Sequence, residues 1–337
     1  MKIHVLAIPT KPTGLMDRME AFSVHAYKYI KHLSPHFEMI HYGLEGSTVD
    51  CRHIDVAAHD NNDLEKFNRS AAQAIQKNKS PGDIIACFYG TENQLACDLN
   101  SDCQSLEPSI GYRTSCVFAK YKAFTSYAHM HMFYGERNMV NNPSWYDTVI
   151  PNPFTISEFD YQSKKHDYYV CMGRVVPEKG IHLAIQATQQ LNRKLVIAGP
   201  ATDLKHLGYD KIPDHVELVG YLEPKKRNEL LGRAKALLGL TYYVEPFGNM
   251  VIEANLCGTP VITTDWGAFP ETVFEGKTGY RVNDFKSLIQ AMINVESGVM
   301  INPRDCRFWG ERFSDEIVHE KHKAYLEKII TNNFYAL

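Results

Sequence analysis

No run of about 18 apolar residues occurs anywhere, so the sequence offers no membrane-spanning helix. The N-terminal apolar stretch is cut short at Pro9. That is too brief for a signal peptide and reads as a buried first strand. Charge of neither sign dominates: 36 Lys and Arg stand against 39 Asp and Glu, a formal −3. The first 150 residues carry 14 basic and 16 acidic side chains. No global basic field is there to draw nucleic acid or anionic lipid. Low-complexity tracts and fixed-period repeats are absent too. The eight cysteines include no Cys-x-x-Cys pair and read as buried free thiols. Thiols without a signal peptide lead us to expect a reducing, cytoplasmic setting.

What is present is a globular composition, 44% hydrophobic and 22% charged over 337 residues, which is length enough for two domains. Short apolar runs alternate with Gly/Pro loops and helical patterns. Strands are expected at 2–8, 37–42, 83–88 and 148–150, with helices at 21–33, 63–77 and 116–133. After Pro151-Asn152-Pro153 and a polar stretch to Asp167, a linker near 151–165, the rhythm restarts. Strands are expected at 168–172, 194–198, 216–219, 236–240 and 261–263, with helices at 180–191, 224–234 and 249–257. An amphipathic helix is expected over 313–330. Alternating strands and helices imply parallel βαβ units in doubly wound sheets, which bind ligands beyond the carboxyl ends of their strands.

Three strand-end loops carry chemistry. In Glu245-Pro246-Phe247-Gly248-Asn249-Met250-Val251-Ile252-Glu253, a turn feeds directly into a helix. A helix N-terminus presents N–H groups and a positive dipole end, which suit a phosphate or a sugar hydroxyl. Glu253, one turn in, is placed to accept both hydroxyls of a ribose. In Gly173-Arg174-Val175-Val176-Pro177-Glu178-Lys179-Gly180, two cations five residues apart form a clamp for a diphosphate. Cations at a helix start oppose the macrodipole, which itself points to a bound anion. The third loop is Thr264–Glu271. Histidine is abundant, but His129/His131 and His319/His322 lack a third ligand at plausible spacing, so no metal site is expected. Tyr242-Tyr243 reads as the end of a buried strand.

Residues 168–282 resemble the nucleotide-binding half of retaining glycosyltransferases of the GT-B fold with the E-x7-E signature (group 1 glycosyltransferases). The resemblance rests on the two loops above and on Val196-Ile197-Ala198-Gly199, Val219-Gly220-Tyr221-Leu222, Gly258-Thr259-Pro260-Val261-Ile262 and Gly276-Lys277-Thr278-Gly279-Tyr280, in order. Val149-Ile150-Pro151-Asn152-Pro153…Phe159 is similar to that family's entry into its second domain. The first half, through Ala21-Phe22-Ser23, Tyr42-Gly43…Glu45-Gly46-Ser47 and Ile110-Gly111-Tyr112…Ala119-Lys120-Tyr121, resembles a subgroup of bacteria and their phages.

The resemblance implies an α/β GT-B architecture, two Rossmann-like domains facing an interdomain cleft. Residues 1–150 would bind acceptor and 151–315 the nucleotide sugar, with 316–337 a helix packing back on the first domain. Arg174 and Lys179 would hold the donor's diphosphate, Glu253 the ribose and Glu245 the donor sugar. Backbone N–H groups of Phe247, Gly248, Asn249 and Met250 would serve sugar and phosphate. Gly173 belongs to the diphosphate loop, and the base would lie near Gly220, Tyr221 and Leu222. Gly14 would approach the diphosphate from the first domain, and His131, or else His129, would lie near the transferred sugar.

The implied reaction is retaining transfer of a hexosyl or pentosyl group by same-face attack, the leaving diphosphate taking the acceptor's proton. No Asp-x-Asp occurs, so no metal or other cofactor is expected. The implied acceptor is a cell-surface saccharide. The alternative is a hydroxymethylated pyrimidine in phage DNA, which needs a basic lining such as Lys11, Arg18, Lys28, Lys31, Arg113, Lys120 and Lys122. A nucleotide-sugar epimerase, a phosphorylase or a non-catalytic nucleotide-sugar-binding module are the other classes weighed. Oligomeric state is left open.

Overall fold

The computed structural model describes residues 1–14, 21–56, 63–297 and 301–334. The chain divides into two compact units. One comprises Met1–Thr125, Met130–Asn152 and Asp315–Leu337, the other Ser126–His129 and Pro153–Ser314.

The first unit is built on seven parallel strands: β1 (Ile3–Leu6), β2 (Met39–Gly43), β3 (Arg52–Asp55), β4 (Ile84–Cys87), β5 (Gln104–Ile110), β6 (Tyr121–Phe124) and β7 (Thr148–Val149). Their order is β3-β2-β1-β4-β5-β6-β7. Strands β1, β2 and β4 are buried throughout, as in a sheet covered on both faces. Helices α1 (Ala21–Leu33), α2 (Leu64–Asn78) and α3 (Gln94–Asp98) accompany them, as does α4 (Tyr127–Glu136) from Met130 onward, its first three residues being counted with the second unit. Asp63 caps α2 by accepting from the Lys66 N–H at 3.0 Å.

The second unit has six parallel strands: β8 (Tyr168–Met172), β9 (Lys194–Ala198), β10 (Val216–Gly220), β11 (Leu237–Gly239), β12 (Val261–Thr264) and β13 (Gly279–Val282), in the order β10-β9-β8-β11-β12-β13. The helices are α5 (Ile181–Gln190), α6 (Pro224–Arg233), α7 (Asn249–Leu256), α8 (Phe269–Thr272), α9 (Phe285–Glu296) and α10 (Pro303–Glu311). The expected linker is hydrogen-bonded into this unit: Gln162 N–H donates to Cys257 O, and Lys165 Nζ to Gly232 O and Thr259 Oγ1.

The last helix, α11 (Asp315–Thr331), completes the first unit. Its Val318, Tyr325, Leu326 and Ile329 join Tyr29, Ile30 and Leu33 of α1 in one apolar cluster. Lys28 Nζ donates to Asp315 Oδ1 at 3.1 Å across that packing. All eight cysteines are free, and five are buried. Among the described residues no helix is long and apolar enough to cross a membrane.

Several expectations need correction. Residues 116–133 are not one helix: a short 3-10 turn, β6 and α4 share that span. Pairing of β6 with β5 and β7 overrides the helical spacing of its apolar residues. Strands β3, β5 and β13 and helices α3, α8, α9 and α10 are covered by no expectation. Tyr242 does not end a buried strand. It lies three residues past β11, 48% exposed, with its hydroxyl 3.0 Å from His182 Nε2.

Candidate active site

Each sheet has one point where strand order reverses, and the loops after the two central strands open a crevice there. In the second unit these strands are β8 and β11. The loop after β8 carries Gly173, Arg174 and Lys179; the loop after β11 carries Glu245 and the entry to α7. The two loops are joined. Tyr242 N–H donates to Glu178 O at 2.9 Å, and Lys179 Nζ lies 2.5 Å from Glu245 Oε2. The Lys179 ammonium also sits 4.9 Å from the centre of the Tyr243 ring. Burial works against the lysine's charge, but Glu245 and Tyr243 outweigh it and hold the ammonium above its ordinary value. Arg174 is exposed and makes no ion pair among the described residues.

Gly248, at φ +83°, is the N-cap of α7, with no side chain over the helix end. Asn249 is exposed and Met250 half-buried at the first turn. Phe247 is core: its ring is 4% exposed and packs near Phe154 and Phe313, leaving only its backbone for a ligand. Glu253 lies one turn into α7 with a partner the sequence did not suggest. Arg227 of α6 places Nη2 3.4 Å from Glu253 Oε1. Gly220 ends β10 beside a register shift, and its carbonyl accepts from Gly199 N–H. Tyr221 is 47% exposed, and Leu222 half-buried.

The third loop supports Glu245 from behind. Ala268 N–H donates to Glu245 O at 3.0 Å, and Gly267 approaches so closely that a Cβ on it would lie 2.6 Å from Glu245 N. A cavity of about 320 Å³ in this unit is lined by Tyr168, Lys194, Val196, Glu217 and Leu222. Tyr168 and Lys194 are the first residues of β8 and β9, so this cavity runs along the sheet face and is not the strand-end crevice.

In the first unit the reversal lies between β1 and β4, and Gly14 follows β1. His131, of this unit, is exposed on α4, whereas His129, counted with the second unit, is wholly buried. Of the basic residues proposed as a lining, Lys28 is held by Asp315, and Lys122 Nζ lies 3.5 Å from Asp147 Oδ1. Arg18 lies outside the described residues.

The histidine pairing differs from the expected one. His319 finds a third partner, because α1 brings His32 to it and to Asp315, their candidate ligand atoms within 4.8 Å of one another. The geometry suits packing better than a metal. The His32 and His319 rings stack at 4.3 Å and 7°, so their in-plane lone pairs run in parallel planes and do not converge on one ion. Lys28 already occupies the carboxylate.

With this geometry established, likeness to known proteins is informative. Residues 155–302 match the family described as glycosyl transferases group 1. Over 118 residues the chain is 37% identical to a glycogen synthase of Mycobacterium tuberculosis, a match covering 32% of this chain and 28% of that protein. The chain therefore spans under a third of that relative. A sucrose-phosphate synthase from Thermosynechococcus elongatus superposes with a TM-score of 0.71 at 17% identity, covering 98% of this chain and 100% of that one. Anabaena HepE in complex with UDP-glucose gives 0.71 at 16% identity, covering 97% and 100%. At such identities the likeness is one of fold: the two parallel sheets, of seven and six strands here, are those of the GT-B glycosyltransferases.

Proposed function

We propose that this chain, whose residues 155–302 match the group 1 glycosyl transferases, moves a sugar from a nucleoside-diphosphate sugar to an acceptor hydroxyl, retaining the anomeric configuration. The observation that carries this reading is the meeting, at one switch point, of Arg174, the Lys179–Glu245 pair and the α7 N-terminus.

Breaking the sugar–phosphate bond develops negative charge on the departing diphosphate. Arg174, Lys179 and the first-turn N–H groups of α7 are preorganised to stabilise it. Glu245 keeps Lys179 charged and oriented, and its carboxylate faces the donor sugar. Glu253, itself held by Arg227, accepts from the ribose hydroxyls. The acceptor attacks the face the diphosphate leaves, and a diphosphate oxygen takes its proton. The sugar is a hexose or pentose, and the acceptor a cell-surface saccharide. Localisation is cytoplasmic. Since HepE was solved with UDP-glucose, uridine diphosphate is the first nucleotide to test.

The test is a thermal-shift screen of UDP-, GDP-, ADP- and CMP-sugars, since a ligand that binds only the native state raises the melting temperature. A donor found this way should release its nucleoside diphosphate faster with an acceptor saccharide present. A chain that binds none of them refutes the proposal.

A further inference from the structure

The second unit leaves part of one sheet face uncovered. Side chains alternate between the two faces of a strand. Leu195 and Ile197 of β9, with Val216 and Leu218 of β10, join residues of α5 and α9 in one apolar cluster. The intervening Val196, Glu217 and Val219 therefore point to the opposite face. Helix α6 covers that face: Val170, which pairs with Val196 across β8 and β9, shares a second cluster with Leu231 of α6.

The cover is off-centre. Helix α6 buries Asn228, Leu231 and Gly232, and Leu231 clusters with residues of β8, β11 and α7. Among the described residues that cluster takes nothing from β9 or β10. Over these two outer strands lies instead the cavity of about 320 Å³. Its floor is apolar, formed by Val196, Val219, Leu222 and Leu230. The Tyr168 hydroxyl beside them already donates to Leu230 O at 2.8 Å.

The rim is charged, and unevenly so. Lys194 Nζ lies 2.6 Å from Glu217 Oε2, and Arg233 Nη2 lies 2.9 Å from Glu229 Oε1. Both carboxylates of the rim are thus matched by a cation. Lys226, exposed on α6 and lining the same cavity, makes no ion pair among the described residues.

An apolar floor with one unmatched cation at its edge selects a ligand of the same pattern. Sugar hydroxyls or the polar edge of a base laid on this floor would lose water and gain no partner, which is costly. An apolar body gains from burial there, and an anionic head gains from Lys226. Small-molecule sites occupy about 300–1,000 Å³, so a cavity at the low end of that range takes a small body.

We propose that this groove binds a small amphipathic monoanion, an aliphatic or aryl carboxylate, with its apolar body on Val196, Val219 and Leu230 and its head at Lys226. The groove is separate from the strand-end crevice, and nothing in it depends on the transfer reaction.

Octanoate is the probe, titrated into the full chain by calorimetry, with octanol as its uncharged counterpart. Octanoate should bind more tightly than about 1 mM, and octanol more weakly. Lys226→Glu should weaken octanoate about fivefold or more, leaving octanol binding and the melting temperature unchanged. Val219→Asp puts a carboxylate in the floor and should remove binding of both. If Val219→Asp does not fold, Lys226→Glu alone decides. A wild-type chain that takes up no octanoate overturns the proposal, as does equal affinity in wild type and Lys226→Glu. Competition by UDP would place octanoate in the strand-end crevice and overturns it too. Recovery of the chain on phosphatidylglycerol vesicles without octanoate binding overturns it in favour of a lipid surface.

Discussion

Gly267 and Glu245 fit together only because Gly267 lacks a side chain: a Cβ there would lie 2.6 Å from the Glu245 backbone nitrogen, and its φ is +62°. Gly267→Ala therefore meets both a clash and a left-handed backbone. Strain of this kind costs about 1–3 kcal/mol. Calorimetry should show a fall of several degrees in melting temperature. Transfer activity should fall further than stability does, because Glu245 moves with its backbone.

Lys179→Met keeps the stem and removes the charge opposite Glu245. A hydrogen bond to a charged group contributes about 1.5–3 kcal/mol, so UDP binding should weaken by about tenfold or more. Titration calorimetry measures this directly. Equal affinity in the variant would show that Lys179 does not touch the diphosphate.

Arg227 and Glu253 form a pair on adjacent helices, 3.4 Å apart. If both act on the nucleoside, Arg227→Ala and Glu253→Gln should each weaken UDP several-fold. The double variant should be weaker by less than the product of the two, since neighbouring partners are not additive. Independent effects would separate Arg227 from the ribose site.

Lys165 gives a pH dependence with a defined sign. Burial pushes its ammonium from 10.5 down to about 8. Between these values the unfolded chain binds more protons than the folded one, so stability rises with pH. The contribution is complete above 10.5 and is lost as pH falls through about 8. Denaturant unfolding of wild type and Lys165→Met across this window should differ in slope, the wild type gaining more on going alkaline.

How much was legible in the sequence varies by segment. Strand β9 and the expected 168–172 strand are read to the residue, because their apolar runs are flanked by Gly and polar punctuation. Strand β5 is not legible because Glu107 and Pro108 interrupt its apolar pattern. The fold accommodates Glu107, wholly buried, by surrounding it with donors: Tyr112 OH and the Phe118 and Ala119 N–H groups. Arg227 was invisible since its partner lies on another helix. The loops entering α5 and α7 are legible as turns onto helices, because glycine and proline must sit at fixed offsets to build such a turn.

The first unit is closed by α11, whose Val318, Tyr325, Leu326 and Ile329 are made only after the whole of the second unit. On a ribosome adding roughly 5–20 residues per second, the apolar face of α1 must wait on the order of ten seconds for its cover. The second unit can fold in that interval and the first cannot finish. A stalled or clipped chain that lacks α11 would thus leave a complete second unit tied to an uncovered, aggregation-prone first one.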